Sequence, residues 1–260
     1  MNKKVQLPAL GVVGVGQLAE FMIRGLRSHG WRGKIFLSPR NTEVATKLAR
    51  ACQCTVGTSN QAAIEQADIV ILAVRPSEVK EALSSISLQP RQTLLSVVAG
   101  LPIAHLEAQL AAGQHVVRAL PVSSAEFGAS PTMMYPADAA VESLFKHTGN
   151  SIVLTRESDF EIGTPIGCAY TWFLDLYGTL AESCERAGMG AQQARSLVYG
   201  MAEGAARVAG QSSERSARAI AAEIASEGSF TLLGLTHLRE KGGLSAWPQA
   251  CELLTQRLRK

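Results

Sequence analysis

Gly11-Val12-Val13-Gly14-Val15-Gly16-Gln17-Leu18-Ala19 decides how this chain is read. An apolar run ends in Gly14-Val15-Gly16, and a helix-forming stretch with a small residue at Ala19 follows, which fits G-x-G-x-x-G/A at a strand-to-helix turn. The first glycine makes the turn, the second lets backbone N–H groups approach a pyrophosphate, and the last small residue lets the helix pack on the strand. Gly14, Val15, Gly16, Gln17 and Leu18 are therefore candidate pyrophosphate contacts. An NAD site would place Asp or Glu after the second strand to bond the ribose 2′-OH. Here that position reads Ser38-Pro39-Arg40-Asn41, with a hydroxyl and a guanidinium but no carboxylate. Ser38 and Arg40 suit a 2′-phosphate, because Arg forms forked, charge-assisted bonds to phosphate oxygens. NADPH is the expected cofactor, with NADH the less favoured form.

Outward from this turn, short apolar runs alternate with helix-like stretches over the first 156 residues. Candidate strands are Leu10–Val13, Lys34–Leu37, Ile69–Val74, Thr93–Val97, Val116–Ala119, Thr132–Tyr135 and Ile152–Leu154. Helical stretches such as Leu18–His29, Glu43–Ala51 and Pro76–Ser85 fill the gaps. Strands rich in Val, Ile and Leu fit a parallel sheet covered on both faces. From residue 157 the pattern turns helical. One stripe takes in Trp172, Phe173, Leu174, Leu180, Cys184 and Ala187. A second runs through Ala194, Leu197, Val198, Met201, Ala205 and Val208, and a third through Trp247, Ala250, Cys251, Leu254 and Leu258. Gly188 and Gly242-Gly243 read as helix stops. The expected architecture is α/β: a Rossmann-type dinucleotide-binding domain over 1–156, followed by an all-α domain over 157–260. The helical stripes exceed what one small bundle needs, so part of that surface should be buried against a second subunit.

Composition narrows the function classes. The 260 residues are 47% hydrophobic and 18% charged, enough for a core and too apolar for a disordered chain. Lys+Arg 25 against Asp+Glu 22 leaves +3, scattered rather than in blocks, so nucleic-acid and membrane-surface binding are not expected. No apolar run reaches the ~18–20 residues of a membrane helix. The basic start Met1-Asn2-Lys3-Lys4 leads into a glycine-interrupted run that reads as a first strand rather than an export signal. Five cysteines without a C-x-x-C pair read as reduced thiols in a cytoplasmic protein. Five histidines without close ligand spacing give no metal site.

Beyond the glycine turn, several segments together resemble the pyrroline-5-carboxylate reductases, which make proline from a cyclic imine with NAD(P)H. Gly11–Ala19 is similar to that family's opening. Asn60 with Ala67-Asp68, then Leu72-Ala73-Val74-Arg75-Pro76, resembles its N…A-D…L-A-V-K-P, with Arg75 in place of Lys. Ser96-Val97-Val98-Ala99-Gly100 and Arg118-Ala119-Leu120-Pro121 match its S-I-A-A-G and R-x-M-P. The resemblance implies a helical dimerisation domain with intertwined subunits, hence a homodimer or larger homo-oligomer, and an active site between the domains. It also implies that Asn60, Ala73, Val74, Arg75, Pro76, Ala99 and Gly100 line the cofactor groove.

The substrate segments depart from the pattern. The family's M-P-N-T-P-A is Leu120-Pro121-Val122-Ser123-Ser124-Ala125 here, without the Asn. Its S-P-G-G-T-T is Ser226-Glu227-Gly228-Ser229-Phe230-Thr231. By resemblance Thr231 is the candidate catalytic contact to the imine, with Ser226, and Gly228, Ser229 and Thr231 surround the substrate carboxylate. Ser229 and Phe230 add bulk there, and Glu227 adds a charge, which points to a preferred imine different from the family's. Ketone reduction needs a proton donor for the alkoxide, yet Ile162 to Leu174 holds no Lys, His, Asp or Glu. A cyclic imine can bind already protonated, which favours C=N reduction. Two alternatives stay open: a β-hydroxyacid dehydrogenase-like oxidoreductase, and a catalytically degenerate NADPH-binding paralogue with a regulatory role.

Overall fold

The computed structural model describes residues 7–211 and 214–259. The basic stretch Met1–Lys4 lies outside the described residues. The strands are β1 (Leu10–Val13), β2 (Ile35–Leu37), β3 (Thr55–Val56), β4 (Ile69–Leu72), β5 (Thr93–Ser96), β6 (His115–Leu120), β7 (Ser130–Tyr135) and β8 (Gly149–Val153). Between them run α1 (Gln17–Ser28), α2 (Thr42–Cys52), α3 (Asn60–Ile64), α4 (Val79–Ser84), α5 (Ile103–Glu107) and α6 (Ala139–Phe145). Five helices complete the chain: α7 (Asp159–Arg186), α8 (Ala191–Gln211), α9 (Ala217–Ile224), α10 (Phe230–Glu240) and α11 (Ala246–Leu258).

One sheet carries all eight strands in the order β3-β2-β1-β4-β5-β6-β7-β8. β1 to β6 pair in parallel, whereas β7 runs antiparallel to β6 and parallel to β8. The parallel sheet read from the sequence thus carries one antiparallel pairing, at this edge. Apolar runs report burial on both faces, but they do not encode strand direction. The sequence reading also missed β3, whose two residues are too few to show a period.

Strand alternation builds two cores. Leu10, Val12, Ile69, Ile71, Leu95, Val97 and Val117 pack on one face with Met22, Ile23 and Leu26 of α1. Val13, Val70, Leu72, Leu94 and Val116 pack on the other face with Ile64, Val79, Leu83 and Leu106. Gly11 permits the close approach of α3, since a Cβ there would stand 2.6 Å from the Ala63 carbonyl oxygen.

The chain divides into two compact units, 1–163 and 164–260, with the division inside α7. The sequence reading places the change at 156/157, where the composition turns helical. The first turn of α7 packs within the first unit. Phe160 is buried there beneath the Arg118 guanidinium, 4.4 Å from the ring centroid. Arg118 is in turn paired with Glu157 at 2.5 Å, and Glu157 accepts the Ile103 N–H at 2.7 Å. In the second unit Ala181, Ala194 and Val198 form a small buried cluster with Tyr177 and Cys184 against it. Among the described residues no helix is long and apolar enough to cross a membrane.

Candidate nucleotide site and second-unit loop

In the first unit the candidate residues gather at the carboxyl ends of the parallel strands. There the chain leaves β1 for β2 on one side and returns to β4 on the other. Such a switch point opens a crevice in which ligands of doubly wound sheets bind. Gly14, at the end of β1, has φ +93°, and a Cβ on it would lie 2.6 Å from both the Ala73 carbonyl oxygen and Val74 Cγ1. The turn is therefore closed to side chains on the β4 side. Gly16 is exposed, with open space where a Cβ would stand.

Gly16 is also the N-cap of α1, and no side chain bonds the first-turn amides of that helix. Helices α2, α3, α6, α9 and α10 differ, because Asn41, Ser59, Asp138, Ser216 and Ser229 cap them. A 12-residue helix with an open glycine cap presents amide donors and the positive end of its dipole to an anion. The local geometry thus fits a dinucleotide pyrophosphate. The Val15 side chain is buried in the core, which leaves only its backbone at the turn.

A cleft beside this turn is lined by Val13, Gly14, Ser38, Arg40, Asn60, Val74, Glu81, Ala82 and Ser85. It brings together Gly14, Ser38, Arg40, Asn60 and Val74 of the sequence candidates. Ala73, Arg75 and Pro76 follow β4, and Ala99 and Gly100 form an exposed turn after β5, at the same end of the sheet. Ser38 is fully buried, and its Oγ accepts the Gly14 N–H at 3.1 Å, so it ties the end of β2 to the glycine turn. Arg40 is half-exposed and pairs with Glu78 Oε1 at 2.9 Å. Asn60 Nδ2 donates to Ser85 Oγ at 2.8 Å. The sequence reading missed Glu81 and Ser85, which α4 and its C-terminal end bring to this wall, and Glu78 of the 3-10 turn before it (Pro76–Glu78), which meets the wall through Arg40. Their only sequence signal is their nearness to Pro76.

Close by in sequence, burial pushes the Cys54 thiol up to about 11 and raises Cys52 as well, with nearby arginines opposing both shifts. Both thiols stay protonated at neutral pH and supply no nucleophile.

In the second unit Ser226, Gly228, Ser229 and Thr231 lie together at the turn into α10. Gly228 has φ +76°, a conformation that favours glycine. Ser229 Oγ accepts the Leu232 N–H at 3.1 Å and donates to the Ser226 carbonyl at 2.7 Å. Its hydroxyl is thereby committed to capping. Phe230 is 93% exposed and Thr231 is exposed beside it, in the first turn. Trp172 and Phe173, both on the first helical stripe read from the sequence, pack against Trp247 with ring centroids 6.1 and 5.3 Å apart.

Comparison with known proteins adds an independent line. A family model described as NADP oxidoreductase coenzyme F420-dependent matches residues 9–100, and one described as pyrroline-5-carboxylate reductase dimerisation matches residues 157–260. The chain is 31% identical over 257 residues to pyrroline-5-carboxylate reductase 1 of Bacillus subtilis, covering 94% of this chain and 86% of the relative. It is 29% identical over 214 residues to the pyrroline-5-carboxylate reductase of Pseudomonas aeruginosa, covering 78% of each. The fold is shared with 1-pyrroline-5-carboxylate reductase from Streptococcus pyogenes, with TM-score 0.86 and 22% identity over 97% of this chain and 98% of that one. It is also shared with the NADP-bound pyrroline carboxylate reductase of Plasmodium falciparum, with TM-score 0.82 and 20% identity over 96% and 97%.

Proposed function

The chain belongs to the pyrroline-5-carboxylate reductase family, and from that membership we propose that it reduces 1-pyrroline-5-carboxylate to proline with NADPH. It is an oxidoreductase of a C=N bond that uses NADP(H). The observation that carries this reading is the glycine turn, with the uncapped start of α1 opening at the switch point of the sheet. The relatives favour neither the hydroxyacid alternative nor the degenerate paralogue.

In this proposal the Gly14–Leu18 backbone receives the pyrophosphate, and Arg40 receives the 2′-phosphate that separates NADPH from NADH. Ser38 braces the turn rather than reaching the phosphate. Asn60, Ala73, Val74, Arg75, Pro76, Ala99 and Gly100 line the remaining groove. The Gly228 amide and the Ser226 hydroxyl hold the substrate carboxylate beside Ser229, whose own N–H is bonded to the Ser226 carbonyl at 3.1 Å, and the Thr231 hydroxyl bonds near the imine nitrogen. The bound dinucleotide supplies a hydride to the imine carbon. With the ring nitrogen already protonated, the product is a neutral amine and no side chain has to deliver a proton to oxygen. That agrees with the stretch of α7 from Ile162 to Leu174, which carries no Lys, His, Asp or Glu. Orientation over the cofactor is then the main contribution of the protein.

The dimerisation family match makes the assembly a homo-oligomer, which we take as a homodimer. A cytoplasmic location is supported by five free cysteines. The test is consumption of NADPH by the purified full chain with 1-pyrroline-5-carboxylate, beside other five- and six-membered cyclic imines. Oxidation with the first substrate supports the proposal, and NADPH binding without oxidation on any imine overturns it.

A further inference from the structure

Among the described residues Arg40 is the single cation in the lining of the cleft, and its half-exposed guanidinium is paired with a carboxylate. Glu78 Oε1 holds its guanidinium at 2.9 Å, while Glu78 Oε2 accepts the Arg75 N–H at 3.3 Å. The backbone bond fixes the Glu78 carboxylate at the start of the 3-10 turn, and three residues on Glu81 brings a second carboxylate to the cleft wall. Glu78 is therefore bonded to the basic group that the proposed function assigns to the 2′-phosphate, and Glu81 lines the same cleft. An anion that approaches Arg40 must take the position Glu78 holds or share the guanidinium with it.

We propose that Glu78 sets the discrimination between NADPH and NADH by competing with the 2′-phosphate for Arg40. This rests on the reading of Arg40 as the phosphate ligand. NADH has a hydroxyl where NADPH has the phosphate and does not require the exchange. Glu78 thus lowers NADPH affinity and leaves NADH affinity nearly unaltered. The pair is part-exposed, with side chains 51% and 26% accessible, so the effect is modest and falls as salt screens it.

The experiment is calorimetric titration of the full chain with NADPH and with NADH, at low and high salt. The variants are Glu78→Gln, Glu81→Gln, Arg40→Ala and the Arg40→Ala/Glu78→Gln double. Glu78→Gln is expected to tighten NADPH about five-fold, the ratio equivalent to ~1 kcal/mol, with NADH changed less than about two-fold. That gain should shrink at high salt and vanish in the Arg40→Ala background. Glu81→Gln, which lacks the bond to Arg40, should give a smaller gain.

Weaker NADPH binding in Glu78→Gln would make Glu78 a tether that holds Arg40 ready, and would overturn competition. An unchanged NADPH to NADH ratio would overturn it too. So would a gain that persists without Arg40, or an equal gain in Glu81→Gln, since either would report the general field of the wall. Equal losses for both nucleotides in Arg40→Ala would instead strike the phosphate reading itself, and the competition with it.

Discussion

At Gly14 the backbone stands at φ +93°, with the Ala73 carbonyl oxygen 2.6 Å from where a Cβ would be. A left-handed residue costs a side chain about 1–2 kcal/mol, and here the obstacle is backbone, which moves little. Gly14→Ala should therefore lower the melting temperature by several degrees and weaken NADPH binding at least about ten-fold, read by thermal melts and calorimetry on one preparation. Gly16 has no such obstacle, so Gly16→Ala should fold normally and lose affinity for both nucleotides, because its face is where a pyrophosphate would lie. Arg40 acts at another atom of the cofactor. Its removal should cost NADPH about ten- to a hundred-fold, as for a lost charge-assisted bond, and leave NADH near its original affinity.

Helix starts distinguish the candidate nucleotide site of the first unit from the candidate substrate loop of the second. Helix α1 has no side-chain cap, which suits a start that a ligand's phosphates complete. Helix α10 is capped by Ser229, at the position where the family has a second glycine. The departure from the family pattern has a local physical content: a hydroxyl that binds the helix replaces a residue that lets substrate approach the backbone. Replacing an N-cap serine by alanine costs about 1 kcal/mol, and by glycine only a few tenths. Ser229→Ala should thus lower the stability of the second unit. Ser229→Gly should leave it nearly unchanged and raise kcat/KM on 1-pyrroline-5-carboxylate. A kcat/KM equal to or below the parent's for Ser229→Gly would show that the added bulk does not hinder the substrate.

Over the whole molecule the two units differ in how far they supply their own cores. The central strands of the first unit are buried on both faces by side chains from its own helices. Among the described residues of the second unit few are buried, chiefly Ala181, Ala194 and Val198 together with Ala169, Ile220 and Ala225, while Leu197, Met201 and Val208 of α8 are exposed, as are Leu233 and Leu253. Apolar area on this scale needs cover to fold stably in water, in agreement with a homo-oligomer. Met201, 68% exposed, is a stringent probe. Met201→Glu should convert the assembly to monomer in sedimentation and make unfolding occur at lower temperature. The parent's melting temperature should rise with protein concentration, as it does when folding and association are linked. A monomeric parent at micromolar concentration would contradict this.

The sequence by itself determined the Rossmann-type half, since Gly14-Val15-Gly16 and the Val/Ile/Leu runs are local signals whose spacing is the structure. It also determined the helical half, through stripes at a period near 3.6, and the family, through collinear motifs such as Ser96–Gly100 and Arg118–Pro121. Tertiary structure alone decided the reversal of β7, because strand direction depends on the partner edge and not on the strand's own residues. It alone turned the Ser38 hydroxyl into the glycine turn and brought Glu78 onto Arg40, 38 positions away. Pairings at such a distance come from how helices pack across the sheet, and a linear pattern carries no record of which side chains that packing brings face to face.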